Sequence, residues 1–412
     1  MRRAILHSDA NCFYAAVEML LDPSLRGRPV AVCGCAEERH GIVLAKSEAA
    51  KRAGVKTGQA NHEARRACPG LILVPPHYDQ YVKFSGLLKE IYLEYTNLVE
   101  PYGMDECWLD VTDSGALHGS GERIAQEIRL RVREELGITV SIGVSFNKVL
   151  AKLGSDMKKP DAVTVLGEDN WKERVWPLPV SELIFVGAHT AQKLMRRNVH
   201  TIGQLAACDP GLLRSWLGKN GHSLWILANG LDESRVMPDG FQAPLKSLSH
   251  GITCSRDLHE DDDVWRVMLE LSQDIGHRLR KNGLAANGAG IAIRKNDLEG
   301  IRLQRQLPFP TQSPLEIARA GWSLFEKNYR WDMPVRAVVL STHKLERVGE
   351  TMQLDAFGDA EGRMRRERLE GAIEEIRARF GKDAIRAASL LEDLPVPDDG
   401  RHSVRMPEMM YR

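Results

Sequence analysis

The sequence predicts an α+β protein of several domains, and three observations carry that prediction. Strands alternate with helices through about the first 166 residues, and two of the strands meet acids at their ends. From about residue 167 the pattern changes to short helices joined by Gly and Pro. After a polar stretch at 237–245 the order becomes strand, helix, strand, strand, helix, strand, a split-βαβ unit that should fold as a domain of its own. A chain of 412 residues is also too long for one core and suggests two to four domains.

Taken in order, Arg3 to Ser8 reads as a buried strand delivering Asp9, and Ala15 to Leu21 as the helix that follows. Pro29 to Cys33 reads as a second strand, ahead of the apolar stretch Gly41 to Ala45. The next helix carries Glu48, Lys51 and Arg52 and is stopped by Gly54. A helix at Asn61 to Ala67 and a strand at Leu71 to Val74 complete an insertion spanning 11–75, set between sheet pieces at 1–10 and 76–166. Tyr81, Phe84, Leu87, Leu88, Ile91, Tyr92 and Tyr95 keep helical spacing, as does the stretch from Gly121 to Leu136. Val140 to Ser145 is a strand, and a basic helix runs from Asn147 to Lys158-Lys159-Pro160.

Residues 167–236 read as short helices, with Gly187 and His189 at a turn before a helix bearing Lys193, Arg196 and Arg197. Helices joined in this way can aim backbone N–H groups at a phosphate, or form a purely structural hairpin. Residues 237–245 read as a linker. The split-βαβ unit falls within 246–357 and carries His250, Arg256, Arg294, Lys295, Arg302, Arg305 and Lys344, which suit either a DNA backbone or a solvated face. A charged helix at about Asp359 to Phe380 and an acidic, turn-rich tail make up 358–412.

Composition excludes more than it selects. The 43% hydrophobic and 27% charged fractions describe an ordinary soluble protein. No apolar run approaches the ~20 residues of a membrane span, and the start lacks a signal peptide's apolar core, so the cytoplasm is expected. Seven scattered cysteines indicate neither a disulfide framework nor a zinc site. Lys plus Arg equals Asp plus Glu at 56 each, so nucleic-acid binding has to come from local clusters. Lys148, Lys152, Lys158 and Lys159 form one, and Lys193, Arg196 and Arg197 another.

The chemistry concentrates in Pro101 to Val111. Apolar residues alternate on both sides of Asp105-Glu106, which places two acids at the tip of a hairpin whose turn Gly103 eases. Such a pair is either a solvated tip or a cation site with oxygen ligands. Asp9, at the end of a neighbouring strand, favours the second. Three carboxylates at one sheet rim fit a two-metal site for pyrophosphate-releasing transfer, with Lys51, Arg52 and Lys159 supplying positive charge to phosphates.

Four segments in order resemble the Y-family translesion DNA polymerases, nearest the bacterial DNA polymerase IV type. They are His7-Ser8-Asp9-Ala10-Asn11-Cys12-Phe13-Tyr14-Ala15-Ala16-Val17-Glu18, Gly103-Met104-Asp105-Glu106, Gly143 to Lys148, and Asp156-Met157-Lys158-Lys159-Pro160. The resemblance runs from Arg3 to about Phe380. It implies a right hand with palm (1–10 and 76–166), small fingers (11–75), a helix-hairpin-helix thumb (167–236) and a βαββαβ little finger (246–357). It further implies a monomeric enzyme that copies damaged templates without a proofreading exonuclease.

Carried over by position, Asp9, Asp105, Glu106 and the backbone carbonyl of Ala10 hold two Mg²⁺ ions, with Mn²⁺ able to substitute. Glu106, Asp9 and Asp105 are then the catalytic acids. Cys12, Phe13, Lys51, Arg52 and Lys159 meet the dNTP, and Tyr14 is the steric gate under the deoxyribose. Gly187, His189, Lys193, Arg256 and Arg294 meet primer-template DNA. Gln353, Leu354 and Phe357, in Gln353-Leu354-Asp355-Ala356-Phe357, resemble a sliding-clamp peptide.

Asn11, Gly103, Glu48 and Lys51 depart from the commonest family pattern. The last two replace a Tyr-Arg pair, and Lys lacks Arg's bidentate fork. Two rival readings are a non-catalytic DNA-binding scaffold of the same fold and a nucleotide cyclase with a palm-like domain.

Overall fold

The structure is a computed structural model, and it describes residues 3–34, 41–349 and 360–390. Gln353, Leu354, Phe357 and Cys35 lie outside the described residues. The chain divides into two compact units, with the break at residues 242 and 243. Among the described residues no helix is long and apolar enough to cross a membrane.

The first unit opens with β1 (Ile5–Ala10), α1 (Phe13–Leu21), β2 (Val30–Cys33), β3 (Val43–Lys46), α2 (Glu48–Arg52), α3 (Asn61–Ala67), β4 (Ile72–Val74) and α4 (Tyr78–Leu93). It continues with β5 (Val99–Pro101), β6 (Glu106–Asp110), α5 (Gly115–His118), α6 (Gly121–Arg131), β7 (Val140–Ser145), α7 (Lys148–Met157) and β8 (Val163–Val165). Five short helices close it: α8 (Trp171–Val175), α9 (Ala188–Met195), α10 (Ile202–Ala207), α11 (Pro210–Leu217) and α12 (Lys219–Ala228).

The main sheet has the order β5-β6-β1-β7-β8 and is antiparallel except for the β7–β8 pair. Central β1 is buried on both faces. Leu6 joins Leu109, Ile142 and the α4 and α6 side chains Leu88, Ile91, Ile124 and Ile128 in one core. Ile5 turns the other way, onto Trp108 and Ala151 of α7. By strand alternation His7 and Asp9 share the α7 side. A separate small sheet, β3-β2-β4, is built from residues 30–74.

Gly143 explains how closely α7 lies on this sheet. A Cβ there would come 1.9 Å from the Ala151 carbonyl oxygen and 2.5 Å from the Ser155 nitrogen. Gly154 on the helix faces it, its own Cβ position 3.1 Å from Gly143 Cα. Asn147 caps the helix, accepting from the Leu150 N–H at 2.9 Å and donating to the Gly230 carbonyl at 3.0 Å.

The expected linker departs from its description at its start. The Met237 N–H donates to Glu100 Oε2 at 2.9 Å, and Asp239 pairs with Lys89 at 2.6 Å. Residues 237–242 therefore belong to the first unit.

The second unit is β9 (Ser247–Leu258), α13 (Asp261–Lys281), β10 (Leu284–Lys295), β11 (Gly300–Thr311), α14 (Pro314–Asn328), β12 (Val335–Arg347) and α15 (Ala360–Phe380). Its sheet, β11-β10-β12-β9, is antiparallel throughout. The strands outrun the sequence expectation. β10 begins in Ala-, Asn- and Gly-rich chain of low strand propensity, and β11 continues through Pro308 and Pro310, which an edge strand tolerates. Ile291, Val338 and Leu340 pack against Leu271, Ile275, Ile317 and Phe325 of α13 and α14. Helix α15 is held through polar contacts, Glu370 accepting from Ser313 at 2.6 Å and His277 donating to Glu374 at 3.0 Å.

Candidate active site

Strand register brings the acids together. Asp9 lies directly opposite Glu106 in the β1–β6 pair, and the Ala10 N–H donates to the Asp105 carbonyl at 2.9 Å. Side chains opposite one another in such a ladder have Cβ atoms ~5 Å apart, so two like charges there repel. Burial adds to that cost. It pushes the Asp9 carboxyl up to about 7, even with Lys159 alongside working to lower it. Asp105 is raised to about 6 by burial and by the charge of Glu106.

Helix α7 and the residues just after it supply the counter-charges. The Lys152 Nζ lies 2.6 Å from Glu106 Oε2, and the Lys159 Nζ 2.7 Å from Asp9 Oδ2 and 2.8 Å from Asp156. Burial alone would raise Glu106, but the Lys152 ammonium beside it reverses that effect, and the carboxyl is held at about 2. Lys152 makes the shorter contact. His7 Nε2 is 3.4 Å from Glu106 Oε2 and outside hydrogen-bond geometry. The Ser155 hydroxyl donates to the Lys152 carbonyl at 2.7 Å, which leaves its oxygen to accept from His7 Nδ1 at 2.9 Å. Burial keeps His7 below its ordinary value.

Three of the four lysines expected to form a DNA-binding cluster are therefore committed inside the protein: Lys148 on Glu100 at 2.7 Å, Lys152 on Glu106 and Lys159 on Asp9. Helical spacing put them on a helix, but only the fold shows that this face meets acids. Lys159 lies on an acid, so a triphosphate would have to draw it away.

The donor set is entirely hard oxygen, and two of its carboxyls, the buried Asp9 and the half-buried Asp105, have raised pKa. That chemistry fits a divalent cation such as Mg²⁺. Among the described residues no three acidic, His or Cys side chains converge as a ready-made metal cage. Lys152 and Lys159 place positive charge beside Glu106 and Asp9.

Around the acids, Cys12 caps α1 in a left-handed conformation (φ 51°) with no side-chain cap, so the first-turn N–H groups of α1 have no side-chain acceptor. Phe13 lies beside Cys12 at the start of α1. Its ring is 3% exposed within the core, so any nucleotide contact is confined to its backbone. Tyr14 is half-buried and stacks on Tyr81 with ring centroids 4.2 Å apart and planes within 9°. Cys12 Sγ donates to Glu48 Oε1 at 3.2 Å, and Lys51 Nζ lies 3.6 Å from the same oxygen. Lys51 is thus partly neutralised by the residue that departs beside it, while Arg52 is exposed in the last turn of α2.

Asn11 is buried. It accepts from the Thr139 hydroxyl at 3.0 Å and the Asp161 N–H at 2.9 Å, and donates to Ser141 Oγ at 3.0 Å. Gly103 has no positive φ, so the turn does not require glycine. Its effect is space: a Cβ there would sit 3.2 Å from Asp105 Oδ1.

Gly187 is the N-cap of α9, with His189 and Lys193 exposed along it. In the second unit Arg256 is paired with Asp263 at 3.0 Å, and Arg294 is exposed on β10. Sequence reasoning placed Lys152 among DNA contacts and gave His7 and Glu18 no role. Their motif positions were visible, but their partners come from strand register and helix packing.

Comparison with known proteins identifies the family. Residues 8–156 match the impB/mucB/samB family model, and residues 245–356 match the model of that family's C-terminal domain. The chain is 46% identical to the DNA polymerase IV of Acetivibrio thermocellus over 95% of this chain and 98% of that protein. It is 38% identical to the DNA polymerase IV of Pelotomaculum thermopropionicum, over 95% and 96% of the two chains. It is also 38% identical to DNA polymerase IV 1 of Bacillus subtilis, over 95% and 94%. Among solved structures, a Y-family DNA polymerase chimera superposes with a TM-score of 0.73 at 21% identity, covering 84% of this chain and all of that one.

Proposed function

The chain belongs to the impB/mucB/samB family as a Y-family DNA-directed DNA polymerase of the DNA polymerase IV type, and we propose that Asp9, Asp105 and Glu106 are its catalytic acids. The observation that carries this proposal is the facing of Asp9 and Glu106 across β1 and β6, with Asp105 one residue away. Asp9, Asp105, Glu106 and the backbone carbonyl of Ala10 would hold two divalent cations. When bound, these ions supply charge neutralisation at the triphosphate and acidity at the attacking 3′-hydroxyl.

The protein's own groups do the rest. The uncapped first turn of α1, at Cys12 and Phe13, offers N–H groups to phosphate oxygens. Lys159 exchanges Asp9 for the triphosphate, with Lys51 and Arg52 adding charge from α2. Tyr14 lies under the sugar and excludes a 2′-hydroxyl. Gly187, His189 and Lys193 in the first unit and Arg256 and Arg294 in the second hold primer-template DNA by its phosphates. Gln353, Leu354 and Phe357 engage the sliding clamp. The enzyme acts as a cytoplasmic monomer opposite damaged bases, without proofreading.

Primer extension by the purified protein on undamaged and lesion-bearing templates tests this function. Extension that Asp105→Ala abolishes while gel-shift DNA binding persists is the expected result. Binding without extension by the parent protein would instead make it a scaffold.

A further inference from the structure

Glu18 is a carboxylate almost out of water, 4% exposed on α1 between core residues Ala15, Val17 and Tyr81. A buried carboxylate costs several kcal/mol unless its partners compensate. The Tyr81 hydroxyl donates a short hydrogen bond to Glu18 Oε1, and His77 Nδ1 lies 3.0 Å from both oxygens. His77 and Tyr81 are the N-cap and fourth residue of α4.

Tyr14 and Glu18 are four residues apart, on one face of α1, and both act on Tyr81. Tyr14 stacks flat on its ring and Glu18 takes its hydroxyl. Tyr78, one turn earlier on α4, meets the Tyr14 ring edge-on at 6.2 Å and 85°. Tyr14 therefore rests flat on Tyr81, whose hydroxyl end is anchored by Glu18, while Phe13 and Tyr78 meet the Tyr14 ring at an angle.

We infer that Glu18, acting through Tyr81, is a positioning residue for sugar selection, fixing the Tyr14 ring against which the 2′ carbon is read. This rests on Tyr14 being the gate, as proposed above. A gate displaced by a fraction of an ångström loses discrimination without losing the ring.

The test is single-nucleotide primer extension, measuring kcat/KM for a dNTP and its matching rNTP, with a thermal melt of each variant. Glu18→Ala and Tyr81→Phe should each raise the rNTP-to-dNTP efficiency ratio about tenfold, the scale of one hydrogen bond to a charged group. The double variant should go no further than either single one. Glu18→Gln keeps an oxygen that accepts from Tyr81 and should return the ratio toward the parental value. If Glu18→Ala does not fold, Tyr81→Phe, which removes one hydroxyl and keeps the stack, carries the test. dNTP and rNTP efficiencies that fall together with the ratio constant would make the contact purely structural and overturn the inference. Tyr14→Ala separates the two levels. If it raises the ratio and Glu18→Ala and Tyr81→Phe do not, this inference fails alone; if it leaves the ratio unchanged, the gate itself is wrong.

Discussion

Replacing Asp105 with Asn should make the cation-free protein more stable while disabling it. The Asp105 carboxyl is raised from 3.8 to about 6, first by burial and then by the charge of Glu106. A carboxyl whose folded value lies above its unfolded value withholds stability once it ionises. The deficit is absent below pH ~4, grows between ~4 and ~6, and is complete above that. Two units correspond to ~3 kcal/mol, which residual solvent contact reduces to ~1–2.

Asp105→Asn is therefore expected to gain ~1–2 kcal/mol at pH 7.5 in EDTA, with the gain shrinking toward zero as pH falls to ~4. Urea unfolding followed by tryptophan fluorescence, at several pH values, measures it. In the same series Mg²⁺ should stabilise the parent and not the variant, and primer extension by the variant should fall at least ~100-fold. Destabilisation by Asn at pH 7.5 in EDTA would show that the buried carboxylate is well served by its surroundings, and the argument from strain would fail.

Lys152→Met removes the closest counter-charge of Glu106, so the carboxyl should rise from about 2. Because a depressed carboxyl stabilises above its unfolded value and loses that advantage as pH falls toward 2, the variant should lose ~1–2 kcal/mol at pH 7 and little near pH 2.5, as read by denaturant unfolding. Gly143→Ala drives a methyl into the α7 backbone, and a loss of about 3 kcal/mol or more is expected in the same assay; a loss below 1 would contradict the close packing. Asn147→Ala removes a helix cap and leaves the Gly230 carbonyl unserved, for about 2 kcal/mol. Deleting 353–357 should abolish stimulation by the clamp in a processivity assay and leave unaided synthesis intact; loss of unaided synthesis would assign that segment elsewhere.

The sequence carried the element order because strand and helix periodicities are local. Val140–Ser145 appears in the structure with the expected bounds, and the βαββαβ order reappears in the second unit. Strand ends were harder to see where propensity is weak, as at Ala285 to Gly288 of β10, whose extent is set by pairing with β12. The acids were legible for a different reason. Carboxylates at strand ends are costly, so Asp9, Asp105 and Glu106 stood out before anything placed them side by side. What remained hidden was every contact that depends on strand register or helix packing: Lys152 on Glu106, His7 opposite Gly143, and Tyr81 held between Tyr14 and Glu18.

Local contacts also change the meaning of the residues that depart from the family pattern. Taken singly, Glu48 is a negative charge near the expected triphosphate, and Lys51 a poorer phosphate ligand than Arg. In the structure Glu48 faces Lys51 at 3.6 Å and takes a proton donor from Cys12 at 3.2 Å. The three form a small group at the start of α1 and on the first turns of α2, and the acid's charge is spent locally. A triphosphate arriving at the first turn of α1 would compete with Glu48 for the Lys51 ammonium, just as it would compete with Asp9 for Lys159. Both basic residues are thus held on carboxylates, and at the proposed nucleotide site affinity would depend on how readily two ion pairs exchange partners, the Lys51 pair being the more exposed and the easier to open.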